Sequence, residues 1–243
     1  MSRRVHVLMK KEELDAERLP GKVVIVLDVL FATTTIAAAL AAGATEVVPA
    51  LDPQSARTEA KGRAEGSYVL AGELRAENIE GFTHSTPLLL TRHASLAGRS
   101  LIYSTTNGTV ALAKSVGAAE VYAAALVNAR AVVEHVQRSH PAETVLLVCS
   151  GSMENFNLED FYGAGHLAHL FAQTGTAELS DAALAARKLH DGTSAVECLR
   201  ESRVGRMMLE RGLGPEVDYA ATADSLSVVP RLSAGRLVAE VRA

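Results

Sequence analysis

Apolar, β-branched runs alternate along the chain with alanine-rich stretches of helical period. The pattern predicts strands at about 4–9, 22–28, 46–49, 67–71, 100–104, 120–124 and 144–149, with helices between them at about 33–43, 53–64, 108–116 and 128–139. Several of these strands are apolar at every position, as in Val23-Val24-Ile25-Val26-Leu27, which marks a sheet covered on both faces. The predicted class is therefore α/β: a three-layer α/β/α arrangement around a mostly parallel or mixed sheet. Beyond Gly151 the pattern becomes mostly helical, at about 158–173, 179–190, 193–201, 203–211 and 215–223, before two short strands at 226–229 and 236–241. No Pro/Ser-rich linker, low-complexity tract or long repeat interrupts it, so residues 1–243 are read as a single domain with a helical C-terminal elaboration from about 151.

Composition narrows the function classes. The 243 residues carry 28 acidic against 24 basic side chains, a net charge of -4, and aromatics are only 4% with no Trp. That balance argues against nucleic acid as a partner, which calls for a basic face or a stacking platform. The longest apolar stretch, Ile36 to Ala44, is about half of what a membrane span needs, and the N-terminal apolar run is too short for a signal segment. Two cysteines, Cys149 and Cys198, make neither a disulfide framework nor a zinc motif. The expectation is a cytoplasmic protein acting on a small molecule. A homodimer follows only from the general preference for C2 symmetry, and no residue specifies it.

Ligands in open α/β sheets gather beyond the carboxyl ends of the strands. Four such places carry chemistry. After the second strand, Asp28 precedes three hydroxyls, Thr33 to Thr35, at a helix start. Asp28 can ligate a hard cation, act as a base or cap a turn, while Thr33 and Thr34 can cap the helix and bond an anion. Leu30 stands where a DxD-type phosphatase has its second Asp. After the fourth, Gly72-Glu73 can complete a cation site with Asp28, since Mg²⁺ needs only one or two carboxylates plus water and a phosphate. The alternative is a solvated Glu73 paired with Arg75, and a long loop is expected to follow through Gly81, Phe82, His84 and Pro87. After the fifth, Thr105-Thr106-Asn107-Gly108-Thr109 is the best anion site in the chain, with a helix cap as its plain alternative. It lacks the Gly-Lys-Ser/Thr of a Walker loop. In the last, Cys149 has no arginine near enough for a cysteine-phosphatase loop and reads as a small buried hydrophobe. Asn157 and Asp160 there read as a helix cap pair, with Glu159 serving the helix dipole. His166 and His169, three apart on one helix, are weak metal candidates.

Taken in order, these residues resemble the 2-phosphosulfolactate phosphatase (ComB-like) family. The resemblance rests on Asp28-Val29-Leu30 with Ala32-Thr33 and Ile36, Gly72-Glu73, Glu80-Gly81-Phe82, Pro87, and Thr105-Thr106-Asn107-Gly108-Thr109. It continues through Cys149, Gly151, Phe156, Leu158-Glu159-Asp160, Ala164-Gly165, Asp224 and Val228-Val229-Pro230. It implies a three-layer α/β fold and an Mg²⁺-dependent phosphatase converting 2-phosphosulfolactate to sulfolactate and phosphate in coenzyme M synthesis. On this footing Asp28 and Glu73 are the catalytic candidates, and the metal set is Asp28 and Glu73 with Glu159 or Asp160. Thr33, Thr34, Thr105, Thr106, Asn107, Gly108, Thr109 and Gly151 are the phosphate-binding candidates. The resemblance also implies arginine where this chain has Phe31, Leu74, Val110 and Asn155, and an aspartate near Met153; Arg75 is a possible replacement for one of them. Phosphate, sulfonate and carboxylate call for guanidinium forks. The chain is thus expected to keep the acidic, metal-binding half of the site and to have remade or abandoned its anion pocket. Two alternatives follow: a homologue that binds a metabolite or partner without catalysis, and a phosphatase for a less charged ester.

Overall fold

The computed structural model describes residues 3–74, 77–173, 175 and 177–240. In chain order the strands are β1 (Arg3–Leu8), β2 (Val23–Leu27), β3 (Glu46–Ala50), β4 (Tyr68–Leu74), β5 (Glu77–Asn78), β6 (Ser100–Ser104), β7 (Glu120–Ala124), β8 (Val145–Cys149), β9 (Ala177–Leu179), β10 (Pro230–Ser233) and β11 (Arg236–Ala239). The helices are α1 (Ala32–Ala41), α2 (Pro53–Lys61), α3 (Pro87–His93), α4 (Gly108–Lys114), α5 (Ala129–Ser139), α6 (Leu158–Ala172), α7 (Asp181–Gly192), α8 (Ala195–Glu201), α9 (Arg203–Glu210) and α10 (Gly214–Ala220). No helix among the described residues is long and apolar enough to cross a membrane.

The sheet runs β5-β4-β6-β3-β11-β10-β7-β2-β8-β1-β9. It contains two parallel blocks. In one, β4, β6 and β3 lie side by side; in the other, β7, β2, β8, β1 and β9 do. The antiparallel hairpin β10–β11 bridges them, and each of its strands pairs with a block through one register position, Arg231 with Tyr122 and Leu237 with Val47. Strand residues divide between two cores as the pleat requires. Val23, Ile25 and Leu27 join the core under α5 to α10, and Val24 and Val26 join the one under α1, α3 and α4. On the first block, Val48 and Ile102 pack under α2 instead. Helices therefore cover both faces, which is why β2 and β8 show no polar positions.

The structure corrects the sequence reading in several places. The loop expected through Pro87 contains α3, started by Pro87 in its first turn. Two short strands, β5 and β9, were not expected. Residues 226–229 form no strand: Leu226 donates its N–H to Val127, and the carbonyl of Val228 accepts from the Asn128 amide. The strand begins at Pro230 instead.

Candidate active site

The carboxyl ends of the two blocks meet where the turn after β2 touches the turn after β6. Gly108, opening α4, packs against Asp28: a Cβ there would collide with Ala32 and stand 2.7 Å from Asp28 Oδ2. Asp28 is held by its own turn. Its backbone N–H donates to the Thr33 hydroxyl, its carbonyl accepts from the Thr33 N–H, and its carboxylate accepts from the Ala32 N–H. Glu73, buried near the end of β4, accepts from both the N–H and the hydroxyl of Thr106, at 2.6 and 3.2 Å. Glu159, in the first turn of α6, is 2% exposed. These three carboxylates line one pocket together with Thr106, Asn107 and Gly151.

Their electrostatics follow from crowding. Burial first, then the Glu73 and Glu159 carboxylates, push the Asp28 carboxyl up to about 7, with Ala32 N–H and Lys11 opposing. Burial likewise raises Glu159 against the favourable influence of Ser202 and Arg203. Among the described residues Glu159 Oε2 is buried with no hydrogen-bond partner. Like charges gathered in a poorly hydrated space, one oxygen unpaired, are the conditions a divalent cation relieves.

Asp160 has a different task. One oxygen accepts from the Val29 N–H at 2.9 Å and the other from the Gly151 N–H at 3.1 Å, so its fully buried carboxylate ties the turn after β2 to the turn after β8. It does not line the pocket; Asn157 takes the N-cap position of α6 as expected, but without a side-chain cap hydrogen bond, and the Asp160 side chain ties turns together instead of closing a cap pair. Thr33, Thr34, Thr105 and Thr109 do not line the pocket either. The Thr34 hydroxyl bonds the Val29 carbonyl, Thr109 bonds the Thr105 carbonyl at 2.8 Å, and Thr105 accepts from the Thr109 N–H. Buried hydroxyls in a first helical turn are satisfied by the nearest backbone, so these side chains shape the turns and do not face the pocket. Cys149 is buried and its thiol is pushed well up by burial, as expected of an inert core cysteine.

Of the positions expected to lack arginine, Phe31 lines the pocket and Leu74 and Asn155 are exposed. Arg75 lies outside the described residues. Two cations that the sequence reading missed stand in their place. Arg203, the first residue of α9, lines the pocket and donates to Asn157 Oδ1 at 3.1 Å. Lys11, buried in the turn after β1, donates to Asn107 Oδ1 at 3.1 Å and to the Ser150 carbonyl at 3.0 Å, and pairs with Glu12. Val204 and Met207 follow Arg203 on α9 and, with Leu30 and Phe31, form an apolar wall. The helical part thus closes the pocket. Between Gly151 and Asn155, Met153 and Glu154 have φ of 52° and 63°, a left-handed backbone uncommon for such residues, at the pocket rim.

Comparison with known proteins shows the family. The family model described as 2-phosphosulpholactate phosphatase matches residues 8–235. A protein of Carboxydothermus hydrogenoformans named "Probable 2-phosphosulfolactate phosphatase" is 38% identical over 240 residues, covering 98% of this chain and 97% of its own length. One of Symbiobacterium thermophilum with the same name is 36% identical over 227 residues, covering 92% and 96%. A third, of Clostridium tetani, is 28% identical over 95% of this chain and 98% of its own. The chain therefore belongs to the 2-phosphosulfolactate phosphatase family, and with it to the phosphoric monoester hydrolases.

Proposed function

We propose that this enzyme is a Mg²⁺-dependent phosphatase of a small acidic phosphate ester, with 2-phosphosulfolactate as the substrate its relatives' names suggest. The observation that carries the reading is the cluster of Asp28, Glu73 and Glu159 in one pocket, with Glu159 Oε2 unpaired and Asp28 raised to about 7 by burial and its two neighbours. These three would hold the cation; when bound, it would supply Lewis-acid polarisation of the phosphoryl oxygens and neutralise their charge. Hydrolysis adds water at phosphorus and breaks the ester P–O bond, leaving the alcohol and inorganic phosphate. Asp28, ionised when it holds the cation, faces the pocket and would take the proton of the attacking water on its free oxygen. Lys11 engages the oxygen of Asn107, which leaves the amide NH₂ to donate to the phosphoryl group, and Glu73 fixes Thr106 beside it. Arg203 is the guanidinium available to a second anion.

Counting charges favours a second reading of the substrate. Three carboxylates against one guanidinium leave two negative charges along the pocket, which one divalent cation cancels. With an apolar wall of Leu30, Phe31, Val204 and Met207 facing these groups, the site also suits an ester carrying fewer anions than 2-phosphosulfolactate. The reducing, cytoplasmic setting we propose accords with two buried free cysteines. The test is phosphate release from 2-phosphosulfolactate, and from a phosphomonoester with a single carboxylate, with Mg²⁺ and with chelator, in the wild type and Asp28→Asn. Metal-dependent release absent from the variant is expected. A folded protein that releases phosphate from neither ester overturns the reading.

A further inference from the structure

At the C-terminal end of α6, His169, His190 and Asp191 each offer a donor atom, and the three atoms lie within 4.8 Å of one another. Asp191 Oδ1 is 2.9 Å from His169 Nδ1 and 3.0 Å from His190 Nδ1. A tetrahedral ion with metal–ligand distances of about 2.0–2.1 Å places its donors about 3.3 Å apart, so small side-chain adjustments would seat one. The donors come from rigid elements: His169 from the last turn of α6, His190 and Asp191 from the last turn of α7.

With His166 neutral, a chain of hydrogen bonds behind His190 leaves its Nδ1 facing the cluster with a lone pair. Asp224, anchored by the Arg130 N–H at 2.8 Å and its guanidinium at 3.2 Å, is an anion, so His166 Nε2, 3.4 Å away, carries a hydrogen. In a neutral His166, Nδ1 then accepts from His190 Nε2 across 3.0 Å. That leaves the lone pair of His190 Nδ1 pointing at the Asp191 carboxylate. Two electron-rich atoms at 3.0 Å repel unless a positive charge lies between them, and the competing solution is an extra proton on the His166–His190 pair. The carboxylate–histidine–histidine relay is also the outer-shell pattern that orients metal-bound imidazole.

We propose that His169, His190 and Asp191 form a second metal site, separate from the phosphatase pocket, for a borderline transition-metal ion of the Zn²⁺ class. Two imidazoles and one carboxylate suit Zn²⁺, Co²⁺ or Ni²⁺ over Mg²⁺, which takes oxygen ligands. Bound there, the ion clamps the C-terminal ends of α6 and α7 together. The test is titration of the full chain with Zn²⁺, and with Co²⁺ as a visible-absorption probe, in excess Mg²⁺ to hold the acidic pocket occupied. One equivalent is expected to bind with a tetrahedral-type Co²⁺ spectrum and a rise in melting temperature. His169→Gln and Asp191→Asn, both on partly exposed positions, are each expected to weaken Zn²⁺ binding at least tenfold. Two substitutions are used so that a folding failure of one leaves the other to decide. Absence of binding in the wild type, or binding unchanged in both variants, overturns the proposal. Because the site shares no residue with the pocket, its failure says nothing of the phosphatase reading.

Discussion

Asp160 and Gly108 show how single residues build the pocket without entering the chemistry. Asp160→Ala removes the acceptor of two buried N–H groups, at Val29 and Gly151, and each unsatisfied group costs about 1–3 kcal/mol. Urea unfolding is expected to show a loss of at least that size; a change of a few tenths would mean that water replaces the carboxylate at no cost. Gly108→Ala forces a methyl against Asp28 and Ala32, so activity is expected to fall far more than the ~1–3 kcal/mol destabilisation of a small overpacking change suggests. The titration of Asp28 adds a pH signature. Its folded value, about 7, lies above its ordinary 3.8, so between these the folded chain holds a proton that the unfolded chain has released. This contribution to stability is fully present below 3.8 and is lost as pH rises through about 7. Mg²⁺ requires the ionised form, so its increment in melting temperature should be larger at pH 8 than at pH 5.5; equal increments would remove Asp28 from the ligand set. At this scale the sequence displayed Asp28, Glu73 and Asn107 by position after a strand. It could not tell pocket-facing from turn-closing hydroxyls, because the Thr33, Thr34, Thr105 and Thr109 hydroxyls meet nearby backbone groups while that of Thr106 meets the Glu73 carboxylate 33 residues away.

Elements were legible wherever period and length agreed. The apolar strands β2, β6 and β8 and the helices α1, α5 and α6 stand close to their predicted limits, because each buries a face set by local pattern. Helix α3, seven residues behind a proline, and the two- and three-residue strands β5 and β9 are too short to carry a period. The placement of α9 was hidden for another reason: nothing local to Arg203 reveals that Ser202 caps a helix whose first turn leans on a pocket with walls as distant in sequence as Asp28 and Glu73. If α9 supplies the distal anion contact, Arg203→Gln should raise KM for an anionic ester by about 10–100-fold, the equivalent of ~1.5–3 kcal/mol for a hydrogen bond to a charged group, with a smaller effect on kcat. Arg203→Lys should recover only part of it, since an ammonium lacks the fork. A variant that loses kcat with KM unchanged would move Arg203 from binding to the reacting centre.

Over the whole molecule, the account turns on topology. The hairpin β10–β11, expected at the chain's end, lies in the middle of the sheet and joins two parallel blocks, and the acidic pocket sits where the ends of those blocks converge. Each block supplies part of the charge: β2 brings Asp28, β4 brings Glu73, and α6 brings Glu159 from beyond β8. Their proximity costs Coulomb energy that Lys11 and Arg203 offset in part and that a bound cation or protonation would relieve further. The central claim is therefore that these three carboxylates form one divalent-cation site. Equilibrium titration with Mn²⁺, a paramagnetic substitute for Mg²⁺, followed by electron paramagnetic resonance of the free ion, tests it most directly. The account predicts one tight equivalent in the wild type, displaced by Mg²⁺ and weakened at least tenfold in Glu159→Gln and in Asp28→Asn. Mn²⁺ affinity that is the same in wild type and both folded variants would contradict it.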